Sequence, residues 1–442
     1  MSTAAYAVYT EHLAMLVKDV SRGAWAPVTQ DVDNALNGQA AERLRTLVPR
    51  QIRREYGVFF STGPVRDRFA SMLAPALAMP HGYYDPTCGA GDLLLAAAEN
   101  LPLLETPTRT LAAWSSWLAG TDLHEPFTSA ARSRLTLAAF ARHRHRGDRI
   151  RVSQAALERS FPDISAGDGL AGLQNGLAAG RHVLLNPPFG AVQVDRSCSW
   201  SSGKTSMAAL FAAEAVGAAR RLTAILPDVL RSGSRYRLWR ELMAQHLGPT
   251  SIEPYGLFDQ HTDIDVFLLD GHARAGNVVD EPSWWPGRPA DAATLADFFE
   301  IRVGPVVDNR DPETGPLAPF LTARNIPAKG VAIIRDQRRR RYTGRLFDPP
   351  FVVMRRTSRP GQGTGGASRG MGVLVTGDEP VAVDNHLIVA VPMEQGEARC
   401  IELLERLSDA DLAPWLDERI RCRHLTVAVV KEIPWTGAGV AH

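Results

Sequence analysis

Apolar positions along the chain fall into three regimes. Up to about residue 50 they recur at helical spacing, at Leu13, Leu16 and Val17 and again at Leu36, Leu44 and Leu47, which predicts a helical segment over residues 1–50. From about 80 to 270, short apolar runs alternate with longer helical stretches, the pattern of a parallel sheet with helices on both faces. "LAGTD" (Leu118–Asp122), "HVLL" (His182–Leu185) and "TAILP" (Thr223–Pro227) read as strands, and "DVFLL" (Asp265–Leu269) closes the series. A helix is expected from about Ser129 to Arg142. After about 275 the chain turns to short β-like segments rich in Pro and Gly. Arginines cluster there at Arg338–Arg341 and Arg355–Arg356, and Gly361–Gly370 is a flexible loop by composition.

Composition narrows the class. At 442 residues, more than one domain is expected. The 45% hydrophobic and 22% charged content is that of an ordinary soluble globular chain. No apolar run reaches about 18 residues, so no membrane span is expected. Glu11, Lys18 and Asp19 interrupt the first apolar positions, which suits an amphipathic helix and not a secretory leader. Cys88, Cys198, Cys400 and Cys422 form no CxxC pair and suggest a reducing interior, so the expected localisation is cytoplasmic. No metal is required. A net charge of +1 neither supports nor excludes nucleic acid, because a local basic face decides that. The basic residues are nearly all arginine, the better residue for phosphates and guanine edges.

Two stretches carry candidate chemistry. "HVLLNPPFG" (His182–Gly190) ends a buried strand on a rigid turn, since each proline lacks an N–H and fixes φ. Upstream, "YYDPTCGAGDLLLAAAENL" places Asp85 after a strand, then Gly89 and Gly91, then an apolar helix from about Leu93. Glycines at such a turn let the backbone approach a ligand closely, with helix N–H groups facing it, although a tight turn alone also asks for glycine. Asp122 ends the next strand, where a carboxylate can accept hydrogen bonds from two ribose hydroxyls. Asp168, in "SAGDGL", falls where a third strand should end and could reach an adenine ring. Together these describe a nucleoside site. "SGKTS" (Ser202–Ser206) looks like the tail of a phosphate-binding loop, but its leading glycine would stand where Cys198 is, so an ATPase is rejected.

"DPTCGAGD" followed about 100 residues later by "NPPF" resembles the amino-methyltransferases that act on adenine N6 in DNA. The order is similar to their gamma arrangement, and most like the modification subunits of type I restriction systems and their solitary relatives, over roughly residues 50–275. The resemblance implies an α/β, Rossmann-like S-adenosylmethionine-dependent methyltransferase domain over 51–275, with a seven-stranded, mostly parallel sheet. The helical segment expected over 1–50 from its apolar spacing would precede this domain. The resemblance also implies S-adenosyl-L-methionine as cofactor, held by Asp85, Pro86, Cys88, Gly89 and Gly91, by Asp122 and Leu123, by Asp168 and Gly169, and by Asn186. Thr62 and Pro64, in "VFFSTGP" (Val58–Pro64), would close over its methionine end; this segment departs from the usual aromatic-Thr-Pro pattern by inserting Gly63.

Catalysis is assigned by resemblance to Asn186, Pro187, Pro188 and Phe189, and the chemistry accounts for the residue types. An exocyclic adenine amine is a poor nucleophile, its lone pair delocalised into the ring. The Asn186 side-chain oxygen and the Pro187 carbonyl can accept its two hydrogens and free the lone pair, while the prolines hold these acceptors without reorganisation. Phe189 would stack on a base flipped out of the duplex. Phe258 or Tyr255 would sandwich that base from the other side.

The chain after 275 bears on the substrate. "GPLAPFLTARNIP" (Gly315–Pro327), "FVVMRRTSRPG" (Phe351–Gly361), "VAVDNHLIVAVP" (Val381–Pro392) and "CRHLTVAVVKEIPW" (Cys422–Trp435) together resemble a target-recognition half of a type I specificity subunit. The expectation is a C-terminal α+β target-recognition domain over 276–442, with Arg355, Arg356 and Arg359 along a groove of double-stranded DNA, and Asn385 and His386 either at a base edge or in a strand-capping turn. The expected function is site-specific adenine-N6 DNA methylation in a restriction-modification or phage-defence system. Nucleoid association and partner subunits of that system go with it. A glutamine or ribosomal RNA methyltransferase and a partner-dependent DNA-binding subunit remain open.

Overall fold

The computed structural model describes residues 4–51, 53, 63–73, 82–259, 262–274, 282–285, 292–327, 329–334, 337–357, 371–394, 396–421 and 424–435. The chain divides into two compact units, Met1–Leu230 with Tyr236–Ser283, and Arg231–Arg235 with Trp284–His442.

The first unit is built on β1 (Tyr83–Asp85), β2 (Leu118–Asp122), β3 (Ile164–Ala166), β4 (His182–Leu185), β7 (Arg221–Pro227), β8 (Leu247–Leu257) and β9 (Asp265–Ala273), in the spatial order β3-β2-β1-β4-β7-β9-β8. The first five run parallel, and β9 is inserted antiparallel between β7 and β8. β1, β4 and β7 are buried along their whole length. A strand covered on both faces has no polar side to alternate with, hence the unbroken apolar runs of the sequence. Between β4 and β7 the chain makes a hairpin, β5 (Ala191–Val194) with β6 (Gly203–Ser206), that the sequence pattern did not announce. "SGKTS" falls on its returning strand.

Three helices, Ala4–Ser21, Thr29–Leu36 and Gln39–Leu47, occupy the N-terminal segment, and the first packs along the helix Glu125–His145. That longer helix carries Arg134 on its apolar face, three and four residues after Ala131 and Ala130. The Arg134 guanidinium is 1% exposed. It pairs with Asp92 at 2.9 Å and donates to the carbonyls of Ala35 (2.8 Å) and Ala90 (2.6 Å). One buried cation therefore ties the N-terminal helices to the loop and helix that follow β1.

The second unit holds a five-stranded sheet in the order β10-β17-β14-β15-β12. Its members are β10 (Phe299–Val303), β12 (Gly330–Ile333), β14 (Phe351–Arg355), β15 (Gly372–Thr376) and β17 (Leu387–Pro392). A smaller sheet joins β13 (Arg339–Arg341), β11 (Leu317–Leu321) and β16 (Ala382–Val383). Helices Glu397–Ser408, Leu412–Arg419 and Val427–Lys431 pack on the larger sheet through Cys400, Leu403, Leu407, Leu412, Leu416 and Val430. The α+β character expected of this region is compatible with these helices, although the reading of short β-like segments after 275 does not mark where the helices lie. The 3.6-residue spacing of Cys400, Leu403 and Leu407 carried the signal. Among the described residues, no helix is long and apolar enough to cross a membrane.

Arg134→Leu should destabilise the protein by about 3–5 kcal/mol, because Asp92 would be left buried without its counter-charge. Adding Asp92→Leu should recover a large part of that loss. Denaturant unfolding of the single and double variants measures both, and equal losses in the two would refute the pairing.

Candidate active site

The sheet changes direction of growth between β1 and β4. From β1 the chain moves outward to β2 and β3, then returns to build β4 and β7 on the other side. Loops leaving β1 and β4 therefore diverge, and open α/β sheets bind ligands in the crevice at such a point. The two stretches singled out from sequence occupy these two loops.

On the β1 side, Asp85 is fully buried and accepts from the Thr87 amide at 2.9 Å. The turn runs through Gly89 (φ +50°) and Gly91 (φ +85°), and Gly91 caps the helix Asp92–Glu99. The Gly89 amide donates to Asp122 Oδ2 at 3.1 Å, and the His124 amide to Asp122 Oδ1 at 2.9 Å. Two backbone donors thus hold the Asp122 carboxylate and leave half of its four lone-pair sites for a ligand. Leu123, next in sequence, is 67% exposed. Cys88 is buried with its amide on the Thr121 carbonyl, and burial pushes its thiol well above the ordinary value. The backbone of this loop, and not the thiol, is what it offers.

On the β3 side, Asp168 is exposed and caps the short helix Gly169–Gln174 through Oδ1, which accepts from the amides of Leu170 (2.9 Å) and Ala171 (3.4 Å). A β-carbon at Gly169 would stand 1.7 Å from the Pro86 carbonyl oxygen, so only glycine permits the contact between the loops after β1 and β3.

On the β4 side, Asn186, Pro187, Pro188 and Phe189 follow the strand directly. Thr87 Oγ1 donates to the Asn186 carbonyl at 3.4 Å, joining the two loops across the crevice. Thr87 lay inside the quoted motif, but its type alone gave no reason to single it out. Phe189 meets Phe258 edge to face, with centroids 5.5 Å apart and planes at 89°. Phe258 is 3% exposed, so it lies behind Phe189 as a support. Tyr255 also packs on the core.

Pro64 opens the helix Pro64–Met72 after Gly63, while Thr62 and Arg359 lie outside the described residues. In the second unit Arg355 donates to the carbonyls of Ala323, Pro327 and Ile326, and Arg356 to that of Asn385. Three arginines of the run are paired with acids, while Arg341 donates to the Gly315 carbonyl at 3.0 Å. Arg340 is 1% exposed against Asp308 and Glu313, Arg338 pairs with the same two acids, and Arg339 with Glu379. Among the described residues, no cluster of three or more His, Cys, Asp or Glu could hold a metal ion.

Burial pushes the Asp85 carboxyl up from 3.8 to about 8, against the Thr87 amide, with Asp122 adding to the rise. Asp122 is raised to about 6 by burial, opposed by the amides of His124 and Gly89. An unfolded Asp85 ionises near 3.8 while the folded one keeps its proton to about 8, so the folded state binds more protons between those values. Stability contributed by this group is therefore full below the unfolded value and is lost as pH rises through the folded one. Asp85→Asn should remove that dependence. In thermal unfolding across this window, the wild type should lose stability relative to the variant as pH rises; parallel curves would show an ordinary carboxylate.

No family model and no curated protein matches this chain. Solved structures do. The Type IIL restriction-modification enzyme MmeI, solved in complex with DNA, aligns with a TM-score of 0.56 at 12% identity, over 89% of this chain and 70% of its own. The methyltransferase subunit of a type I restriction-modification system from Streptococcus thermophilus aligns with a TM-score of 0.34 at 16% identity, over 55% of this chain and 51% of its own. The Type I restriction enzyme EcoKI M protein aligns with a TM-score of 0.33 at 12% identity, over 61% of this chain and 67% of its own. The chain thus shares its fold with a restriction-modification enzyme.

Proposed function

We propose that the chain is an S-adenosylmethionine-dependent DNA methyltransferase of a restriction-modification system, acting on the N6 amine of a flipped adenine. The observation that carries this reading is the meeting of the Asp85–Gly91 loop and the Asn186–Phe189 turn at one switch point, bridged by Thr87. The fold shared with MmeI over most of the chain supports it.

The residues present fit the cofactor. The loop after β1 touches the loop after β3 too closely for any side chain at Gly169, and Asp85, Asp122 and Asp168 stand at or just after the ends of three adjacent strands. Asp122 would accept from the ribose hydroxyls, Leu123 would cover one adenine face, and Asp168 would accept from the adenine amine through the oxygen its cap leaves over. Asp85 would face the positively charged methionine end. When bound, S-adenosylmethionine supplies an electrophilic methyl group.

The chain's own residues prepare the nucleophile. Asn186 Oδ1 and the Pro187 carbonyl accept the two N6 hydrogens of the substrate, which draws the nitrogen toward tetrahedral geometry and aims its lone pair. Pro187 and Pro188 keep these acceptors fixed, so no reorganisation accompanies the developing positive charge on nitrogen. Phe189 offers a face to the extruded base, and Phe258 holds that ring from behind. The proton leaves after transfer, so no tuned general base is needed. The second unit would supply target recognition.

Asn186→Ala should lower methyl transfer by a factor on the order of 10² to 10³ with an unchanged unfolding curve. Modification-sensitive sequencing of DNA from a host expressing either form measures it. One adenine-modified motif, present with the wild type and depleted with the variant, is the expected result. Unmodified DNA beside labelled protein or RNA would favour the glutamine or ribosomal RNA alternative. Cofactor binding without turnover on any naked DNA would favour a partner-dependent subunit.

A further inference from the structure

β16 and β17 are joined by the turn Asp384–Asn385–His386, and all six backbone polar groups of this turn are bonded within the second unit. The Asp384 amide donates to the Leu321 carbonyl (2.9 Å), and the Asp384 carbonyl accepts from the Leu387 amide (3.0 Å). The Asn385 amide donates to the Val306 carbonyl (2.8 Å), and the Asn385 carbonyl accepts from Arg356 Nη1 (3.1 Å). The His386 amide donates to Asp384 Oδ1 (2.7 Å), and the His386 carbonyl accepts from the Arg356 amide (3.0 Å). Three separate segments, at Val306, Leu321 and Arg356, therefore immobilise three residues.

What this turn displays is an imidazole. The His386 side chain is 67% exposed, while the carboxylate it leans on, Asp384, is buried. His386 Nδ1 lies 2.6 Å from Asp384 Oδ1. A carboxylate at that distance dictates that Nδ1 carries a hydrogen and donates it, so the ring plane is set and Nε2 is the pole left for a partner. Ordinary surface histidines rotate freely. This one has given up that freedom in advance, which lowers the entropic cost of meeting a partner.

The neighbours extend the same edge. The Leu425 amide donates to the Arg356 carbonyl (2.8 Å), and exposed Thr357 and His424 lie together, with Oγ1 to Nδ1 at 3.1 Å. His386, Thr357 and His424 thus stand on three adjacent segments. Arg355 and Arg356, expected from sequence to contact DNA, are spent inward. Arg355 holds the segment Ala323–Pro327, and Arg356 holds the turn itself.

We infer that His386 is a specificity-determining residue that reads one base edge of the DNA substrate through Nε2, on a turn that Arg356 braces. The inference rests on the DNA-methyltransferase reading above and assigns the readout within it. With Nδ1 held against Asp384, Nε2 is the ring atom left to hydrogen-bond a base edge in the major groove.

The test is the modified motif written by the wild type and by His386→Ala, together with the salt dependence of DNA binding for each. His386→Ala removes an exposed side chain, so the fold should be kept. The expected result is about a tenfold loss of preference at one motif position, with the other positions and the salt dependence retained. An unchanged motif would overturn the inference. A uniform loss of binding over all sequences with a shallower salt dependence would also overturn it, because that is the signature of a phosphate contact. A wild type that modifies no DNA would fail one step earlier, and would remove the reading on which the inference stands.

Discussion

A single guanidinium in the apolar interior of the first unit sets much of the rest. Placing Arg134 there is costly unless each of its donors finds an acceptor. The acceptors it finds belong to parts of the chain with different tasks: the N-terminal helices, the glycine loop, and the first residue of the helix after that loop. Satisfying the charge therefore also fixes where the loop lies. The N-terminal helices, remote in sequence from the crevice between the loops after β1 and β4, become part of what holds its wall.

From that fixed wall the site follows by topology. β1 and β4 are neighbours in the sheet but belong to opposite directions of sheet growth, so their loops part at the carboxyl edge. One loop offers backbone amides and buried carboxyls, and the other offers an amide side chain, a carbonyl and an aromatic face. Neither is a complete site. Thr87 spans them, bonding Asp85 through its amide and the Asn186 carbonyl through its hydroxyl.

Much of this was legible in the chain. β2 and β4 begin and end where their apolar runs do, and Asp85, Asp122 and Asn186 sit at strand ends as their spacing implied. The reason is physical, since a doubly covered strand has to be apolar throughout and has to stop where polarity begins. Less legible was anything decided by which way a side chain turns. Arg338–Arg341 reads as a basic run, yet β13 alternates, and it carries Arg340 inward to Asp308 while Arg338 and Arg339 are paired with acids from elsewhere. Arg355 and Arg356 likewise read as a surface pair and prove to be internal braces. Charge counted along a strand overstates charge on a surface, because acidic partners arrive from residues remote in sequence. The β5–β6 hairpin was missed for a different reason: its strands are four residues each and half exposed, so they leave no apolar run.

The contact between Gly169 and the Pro86 carbonyl has one more consequence. Two loops remote from each other in the chain touch with no space for even a methyl group between them. Neither can gain or lose a residue by itself without opening that seam or forcing it. Over evolutionary drift, loop length here is one shared variable and not two, and a graft that transplants the loop after β1 from a relative has to bring the loop after β3 with it.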